Sequence, residues 1–319
     1  MPSDTAGPVS TIAPANPRAV RADLYLLLTA ALWGFAFVAQ REAMDSVGPF
    51  LFNGVRFGLG ALALVPLMLW FRSRPMKKGT SAEANETTVG VGLAKGGLLG
   101  GGLLAGIILF VAASLQQVGM VSTGAANAGF ITGLYVVLVP VFGIALGRRT
   151  GASTWLGVFL VFVGLYLLTV GDGFSMSKGD FLVLLGAVFW AFHVLLIGRL
   201  SPGLDPIKLA ASQFGVCAAL SLGVALAFED ITAGGLSDAW APILYGGLVS
   251  VGIAYTLQVV AQRDAHPAHA AIILSLEAAF AALGGWLVLG ESLAFKGLVG
   301  CALMLAGMVV SQAWVSSTK

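Results

Sequence analysis

Residues 96–147, GGLLGGGLLAGIILFVAASLQQVGMVSTGAANAGFITGLYVVLVPVFGIALG, contain no Asp, Glu, Lys or Arg. A helix needs about 20 mostly apolar residues to cross a bilayer. This stretch therefore holds two spanning helices, with a tight turn near Ser122–Gly124. The rest of the chain reads the same way. It is 58% hydrophobic and only 10% charged, against about 25% charged residues in a soluble domain, and its mean hydropathy is +0.92. So few charges cannot cover a soluble surface, but lipid demands no polar exterior. The expectation is an all-α integral membrane protein.

Working outward from 96–147 gives ten spans, at 23–43, 49–71, 93–118, 122–146, 151–170, 180–199, 205–228, 240–261, 267–289 and 295–315. Pro49, Pro206, Pro242 and Pro267 fall near proposed helix starts, where a missing N–H costs nothing. Asp172–Gly173 and Gly234–Gly235 fall in proposed loops, and Pro66 and Pro140 lie inside spans. Residues 1–22 read as a disordered tail, rich in Pro, Ala, Ser and Thr, and 316–319 as a short C-terminus. The first apolar run lacks a clear small-residue cleavage site, so it reads as an uncleaved anchor.

Ten spans put both termini on one side. Thirteen Lys or Arg residues fall on that side, including Arg18, Arg72, Lys77, Arg148 and Arg199, and three on the other, Arg41, Lys178 and Lys296. This bias predicts cytoplasmic termini in a bacterial-type inner membrane.

The chain also repeats itself. Laying 23–61 on 180–218 gives ten identical pairs, among them Asp23/Asp180, Trp33/Trp190, Phe35/Phe192, Pro49/Pro206 and Phe57/Phe214. At an offset of 142, Gln116/Gln258, Ala126/Ala268, Ile131/Ile273 and Leu134/Leu276 coincide. One further residue of shift pairs Gly157/Gly300 and Gly164/Gly307. Residues 23–170 and 171–315 thus read as two related halves. Five spans is an odd number, so the halves enter the membrane in opposite senses. Inverted halves can open a central site to each side in turn.

Several motifs carry a resemblance. They are Ala31-Leu32-Trp33-Gly34, Val55-Arg56-Phe57, Ala125–Thr132, Val139-Pro140-Val141-Phe142, Leu276-Glu277-Ala278, Leu289-Gly290-Glu291 and Leu305-Ala306-Gly307. In order and spacing the chain resembles the EamA-type members of the drug/metabolite transporter superfamily, from about residue 23 to 313. The resemblance implies ten spans with cytoplasmic termini and a cavity lined mainly by spans 1, 3, 4, 6, 8 and 9. It also implies export of small metabolites, often amino acids, or of cationic xenobiotics. Span 4 ends in Leu146-Gly147-Arg148-Arg149 where the second half has Leu289-Gly290-Glu291, so the halves are not interchangeable.

The candidate cavity residues are Trp33, Phe37, Gln116, Asn127, Tyr135, Trp190, His193, Tyr255, Gln258 and Glu277, with Arg56 as a charge of substrate-binding or structural kind. Glu277 lies mid-span, where a carboxyl must face protein or water. It reads as a proton carrier, a contact for a substrate amine, or a structural carboxyl. Arg56 reads as an outward-reaching stem or a contact for a substrate carboxylate. Trp33, Phe37 and Gln40 share one face of span 1, and Trp190 and His193 one face of span 6. An aromatic pocket with a few polar groups suits an amphipathic small molecule, and ring packing alone is the plainer account. Gln116, Gln258, Asn127, Thr132 and Tyr135 can bind a zwitterion or hold helices together.

No nucleophile–base pair, metal-ligand spacing, phosphate loop or basic–aromatic stripe stands in the chain. The expectations are no enzyme, no cofactor, no metal and no nucleic acid. A small-molecule substrate and the lipid bilayer are the expected partners, with a monomer or weak dimer as the assembly. Bulky apolar or aromatic amino acids are the first substrate choice and lipophilic cations the second.

Overall fold

The computed structural model describes residues 17–72, 97–148, 150–169, 177–289 and 295–313. All regular elements among them are helical. They are α1 (Pro17–Ala43), α2 (Pro49–Arg72), α3 (Gly97–Gly119), α4 (Ala125–Gly133), α5 (Tyr135–Ala145), α6 (Ala152–Thr169), α7 (Lys178–Leu200), α8 (Pro206–Phe228), α9 (Ala233–Asp238), α10 (Trp240–Leu244), a π-helical stretch (Tyr245–Tyr255), α11 (Thr256–Ala261), α12 (Pro267–Leu274), α13 (Glu277–Leu289) and α14 (Phe295–Ala313). Asp172–Gly173 and Gly290-Glu291 lie outside the described residues.

Eight segments among the described residues are long and apolar enough to cross a membrane. Three of them run through interrupted helices: Ala125–Ala145, Trp240–Ala261 and Pro267–Val288. At the expected fifth and tenth spans stand two shorter apolar helices, Ala152–Leu167 and Phe295–Ser311. The first helix starts at Pro17, so 17–22 belong to a helix and not to the expected tail. Gly234–Gly235 lie in the short helix α9, whose first turn Thr232 caps by accepting from the Gly235 N–H (3.1 Å), not in a loop. The turn expected near Ser122–Gly124 joins α3 to α4.

Packing follows the small residues. A Cβ on Gly157 would stand 2.8 Å from the Gly307 carbonyl, and one on Gly164 would stand 2.6 Å from that of Gly300. The helices α6 and α14 therefore touch backbone to backbone, which only glycine allows. Likewise a Cβ on Gly119 would meet the Gly179 carbonyl at 2.6 Å where α3 crosses α7. The largest helix–helix contacts are α6 with α14, α2 with α8, α3 with α7 and with α8, and α1 with α13. Each joins a helix from before residue 170 to one from after it.

Polar side chains fasten the helix starts. Asp180 accepts from the Thr123 hydroxyl (2.9 Å) and forms a capping box with Ser177. His269 on α12 bonds Asp23 on α1 and Ser311 on α14, both at 2.9 Å. The Glu229 carboxylate accepts from the backbone N–H of Phe50 (2.9 Å) and Leu51 (2.7 Å). Those are donors that the first turn of α2 cannot satisfy itself. Glu229→Ala is expected to cost about 1 kcal/mol, the usual value of a lost cap. It should read as a lower melting midpoint in detergent, and an unchanged midpoint would mean that water replaces the carboxylate there.

Candidate functional site

The site begins with two broken helices. Between α4 and α5 the chain bends at Leu134, whose N–H bonds the Ile131 carbonyl at 3.2 Å. Between α12 and α13 the Leu276 N–H bonds the Ile273 carbonyl at 3.1 Å. In both, an i→i+3 bond tightens one turn and turns the next helix aside. The first residue after each break is Tyr135 or Glu277, and both side chains face one central cavity.

A second irregularity lies opposite. Through Tyr245–Tyr255 the backbone bonds i→i+5, a form that collects at functional sites. Three side-chain bonds tie α1 to this stretch. Trp33 Nε1 donates to the Ser250 carbonyl (3.3 Å), Thr29 to that of Ala254 (3.1 Å), and the Tyr245 hydroxyl donates to the Leu32 carbonyl (2.9 Å). The wider turn brings Ser250 and Tyr255, five residues apart, to the same cavity.

The walls come from α1, α2, α3, α4, α5, α7, the π-helical stretch, α11 and α13. Tyr255 is the aromatic centre. Its ring lies 4.4 Å from Trp33 and 6.0 Å from Trp190, the latter stacked. Phe57 and Phe214 back it at 5.8 and 5.9 Å. Phe37 closes another side. One wall is a connected amide network with Gln116 at its hub. Its Oε1 accepts from Trp190 Nε1 (2.8 Å) and from the Thr132 hydroxyl (3.4 Å), and its Nε2 donates to Gln40 Oε1 (3.2 Å).

The opposite groups are left open. Glu277 is 3% exposed and Arg56 2% exposed. Neither makes an ion pair among the described residues. Glu277 Oε1, Gln258 Oε1 and Tyr135 Oη have no partner at hydrogen-bonding distance, although the Tyr135 hydroxyl stands beside the Glu277 carboxyl. The cavity is partly open and offers about 30 Å³ of free space, room for about two waters.

Nine of the eleven residues named from sequence line this space: Trp33, Phe37, Arg56, Gln116, Tyr135, Trp190, Tyr255, Gln258 and Glu277. Two do not. Asn127 is exposed, because it sits in the first turn of α4, away from the break. His193 is fully buried behind Trp190, with Nε2 bonded to Gln213 Oε1 at 2.8 Å, so it packs α7 against α8. Of the spans that the resemblance put around the cavity, all contribute, and α2 adds Arg56. Val194 and Ser250 were not foreseen. Val194 follows Trp190 by one helical turn, a legible spacing. Ser250 depends on the π-helical register, which no α-helical periodicity reveals.

The comparisons with known proteins fit this architecture. The EamA-like transporter family model matches residues 20–170 and 177–312. The chain belongs to the EamA-like transporter family. An uncharacterized transporter of Archaeoglobus fulgidus is 32% identical over 91% of this chain and 85% of its own length. An uncharacterized inner membrane transporter of Escherichia coli, YedA, is 24% identical over 82% of this chain and 81% of its own. A protein of known crystal structure superposes with a TM-score of 0.69 over 92% of this chain and 96% of its own, at 19% identity, and that likeness shows the fold alone. This EamA-like chain is a multi-pass membrane transporter, and the two relatives named above carry transporter names.

Proposed function

We propose that this transporter exports small organic metabolites, foremost amino acids with bulky apolar or aromatic side chains, by alternating access through the central cavity. The observation that carries the reading is the aromatic cavity at which three segments that flank the helix breaks, α4, α5 and α13, converge with α1, α7 and the π-helical stretch. Rings there cover an apolar side chain, while the open polar groups hold its head.

Ten crossings in two inverted halves are part of this proposal. Three features support it. The helix breaks fall at Leu134 and Leu276, one repeat apart. The glycine contact Gly157–Gly307 maps by the repeat onto Gly300–Gly164, which also touches. Asp23 fastens the start of α12 at one end, and its mate Asp180 fastens the turn into α4. The family match in two stretches agrees with two halves. The Lys/Arg bias supports cytoplasmic termini. The small free volume of the cavity supports rocking of one half on the other as the motion that admits a larger solute.

The test is counterflow in liposomes holding purified protein. Labelled L-phenylalanine is expected to exchange, and a lipophilic cation such as tetraphenylphosphonium is not. The unpaired Glu277 carboxyl favours the cation as the second reading. Exchange of the cation alone would replace the first reading with the second, and exchange of neither would end both.

A further inference from the structure

We propose that Arg56 and Glu277 form the two poles of one zwitterion site, taking the α-carboxylate at Arg56 and the α-ammonium at Glu277 and Gln258. The proposal rests on the transport reading above and names how that cavity recognises its substrate.

The argument starts from a cost. An isolated buried charge is expensive, and the cheapest remedy for two opposite ones is to touch. Arg56 and Glu277 are both buried, line one cavity, and do not pair. Tyr255 lines the same cavity, its ring 5.8 Å from that of Phe57, over which the Arg56 guanidinium lies. A guanidinium and a carboxyl that line one aromatic cavity without pairing match a ligand that brings both a carboxylate and an ammonium.

Each pole has the donors or acceptors its part needs. Arg56 Nε donates to Asn53 Oδ1 (3.0 Å), and Asn53 Nδ2 is itself fixed to the Ala113 carbonyl (3.1 Å). The guanidinium lies over Phe52 and Phe57, 5.1 and 4.9 Å from their centres. Its base and one edge are thus fixed, while its Nη groups make no hydrogen bond among the described residues. A planar fork held this way accepts a carboxylate with two parallel bonds. At the other pole Glu277 Oε1 and Gln258 Oε1 accept no hydrogen bond at bonding distance, and the Tyr135 hydroxyl stands beside the Glu277 carboxyl. An ammonium group brings three N–H donors and no acceptor. The neighbouring Gln40–Gln116–Thr132–Trp190 network is already bonded to itself, so it is wall and not pole.

The repeat adds a mechanistic point. The mate of Arg56 is Gln213 and the mate of Glu277 is Tyr135. Each charge occurs once, and the two stand in different halves. A ligand with both charges grips both halves, whereas a singly charged analogue grips one. The site therefore rejects amines and acids that share the substrate's side chain, and Arg56 repels lipophilic cations.

The experiment is competition against labelled L-phenylalanine counterflow, using phenylethylamine, 3-phenylpropionate and L-phenylalaninamide. Each analogue lacks one charge, and wild-type protein is expected to prefer L-phenylalanine by about tenfold or more over all three. Arg56→Gln should narrow the gap to phenylethylamine and the amide to within about threefold, and Glu277→Gln the gap to phenylpropionate. Arg56→Lys should keep part of the preference. If wild-type protein carries L-phenylalanine yet takes any analogue equally well, the zwitterion site is wrong and the transport reading stands. If the double variant Arg56→Gln/Glu277→Gln recovers transport that each single variant lost, the two residues serve each other and the proposal falls. Absence of any aromatic exchange overturns the transport reading and this site with it. The wild-type ranking needs no variant, so poor folding of a variant does not remove the test.

Discussion

Gly34→Ala is expected to reduce transport by more than about tenfold and to lower the melting midpoint by several degrees. A Cβ at residue 34 would run into Phe280 Cβ and would stand 2.7 Å from the Glu277 carbonyl and 2.8 Å from the Ala281 nitrogen. Two of those three atoms are backbone of α13, so no rotamer change relieves the contact. The helix must move instead, and it is the helix that begins at Glu277. Overpacking of this kind costs typically about 1–3 kcal/mol. Gly58→Ala is the control, because its Cβ would meet only Ala218 Cβ, at 3.9 Å, an ordinary contact. Equal behaviour of the two variants in a thermal shift assay and in counterflow would refute the argument.

The second large effect is expected at Gln116→Leu. This side chain serves three partners, Trp190, Thr132 and Gln40, and leucine serves none. Buried polar groups left without a partner cost about 1–3 kcal/mol each. Trp190 would also lose the bond that sets its ring plane against Tyr255, so transport should fall together with stability. Ser114→Ala is the contrast. It lies on the same helix, buried, and its hydroxyl has no partner to lose. It should melt at or above the wild-type midpoint. A Gln116→Leu protein that melts with wild type would mean that water fills the network, and that the amide is dispensable.

Much of the architecture was legible because lipid imposes a simple rule. Apolar length gave the helices and proline gave many of their starts, as at Pro49, Pro206 and Pro267. The cavity faces of α1 and α7 were legible because both are unbroken α-helices, where spacing of three or four marks one side. The breaks were not. The break at Ser275–Leu276 has neither proline nor glycine, and Gly133 beside Leu134 is one of many glycines in the spans, so local sequence does not single the breaks out and tertiary packing makes the choice. The same reason hid Ser250, whose π-helical register is invisible to an α-helical count. Asn127 and His193 were misplaced for opposite reasons. The first lies too near a helix end to reach the centre, and the second satisfies a neighbouring helix through Gln213. Charge alone located Arg56 and Glu277, but not that they share a cavity and stand unpaired.

The interleaving of helices from either side of residue 170 has a consequence for synthesis. Helices α1, α2, α3 and α6 find their broadest contacts on α13, α8, α7 and α14. When the ribosome reaches residue 170, none of those partners exists. The last of them ends at Ala313, roughly 140 residues further on, which take about 7–28 s at 5–20 residues per second. For that interval the glycine seams of α6 and α3 lie open to lipid and to any neighbouring helix. A chaperone of nascent membrane segments would meet its client in that window, and codons that slow translation after residue 170 would lengthen it.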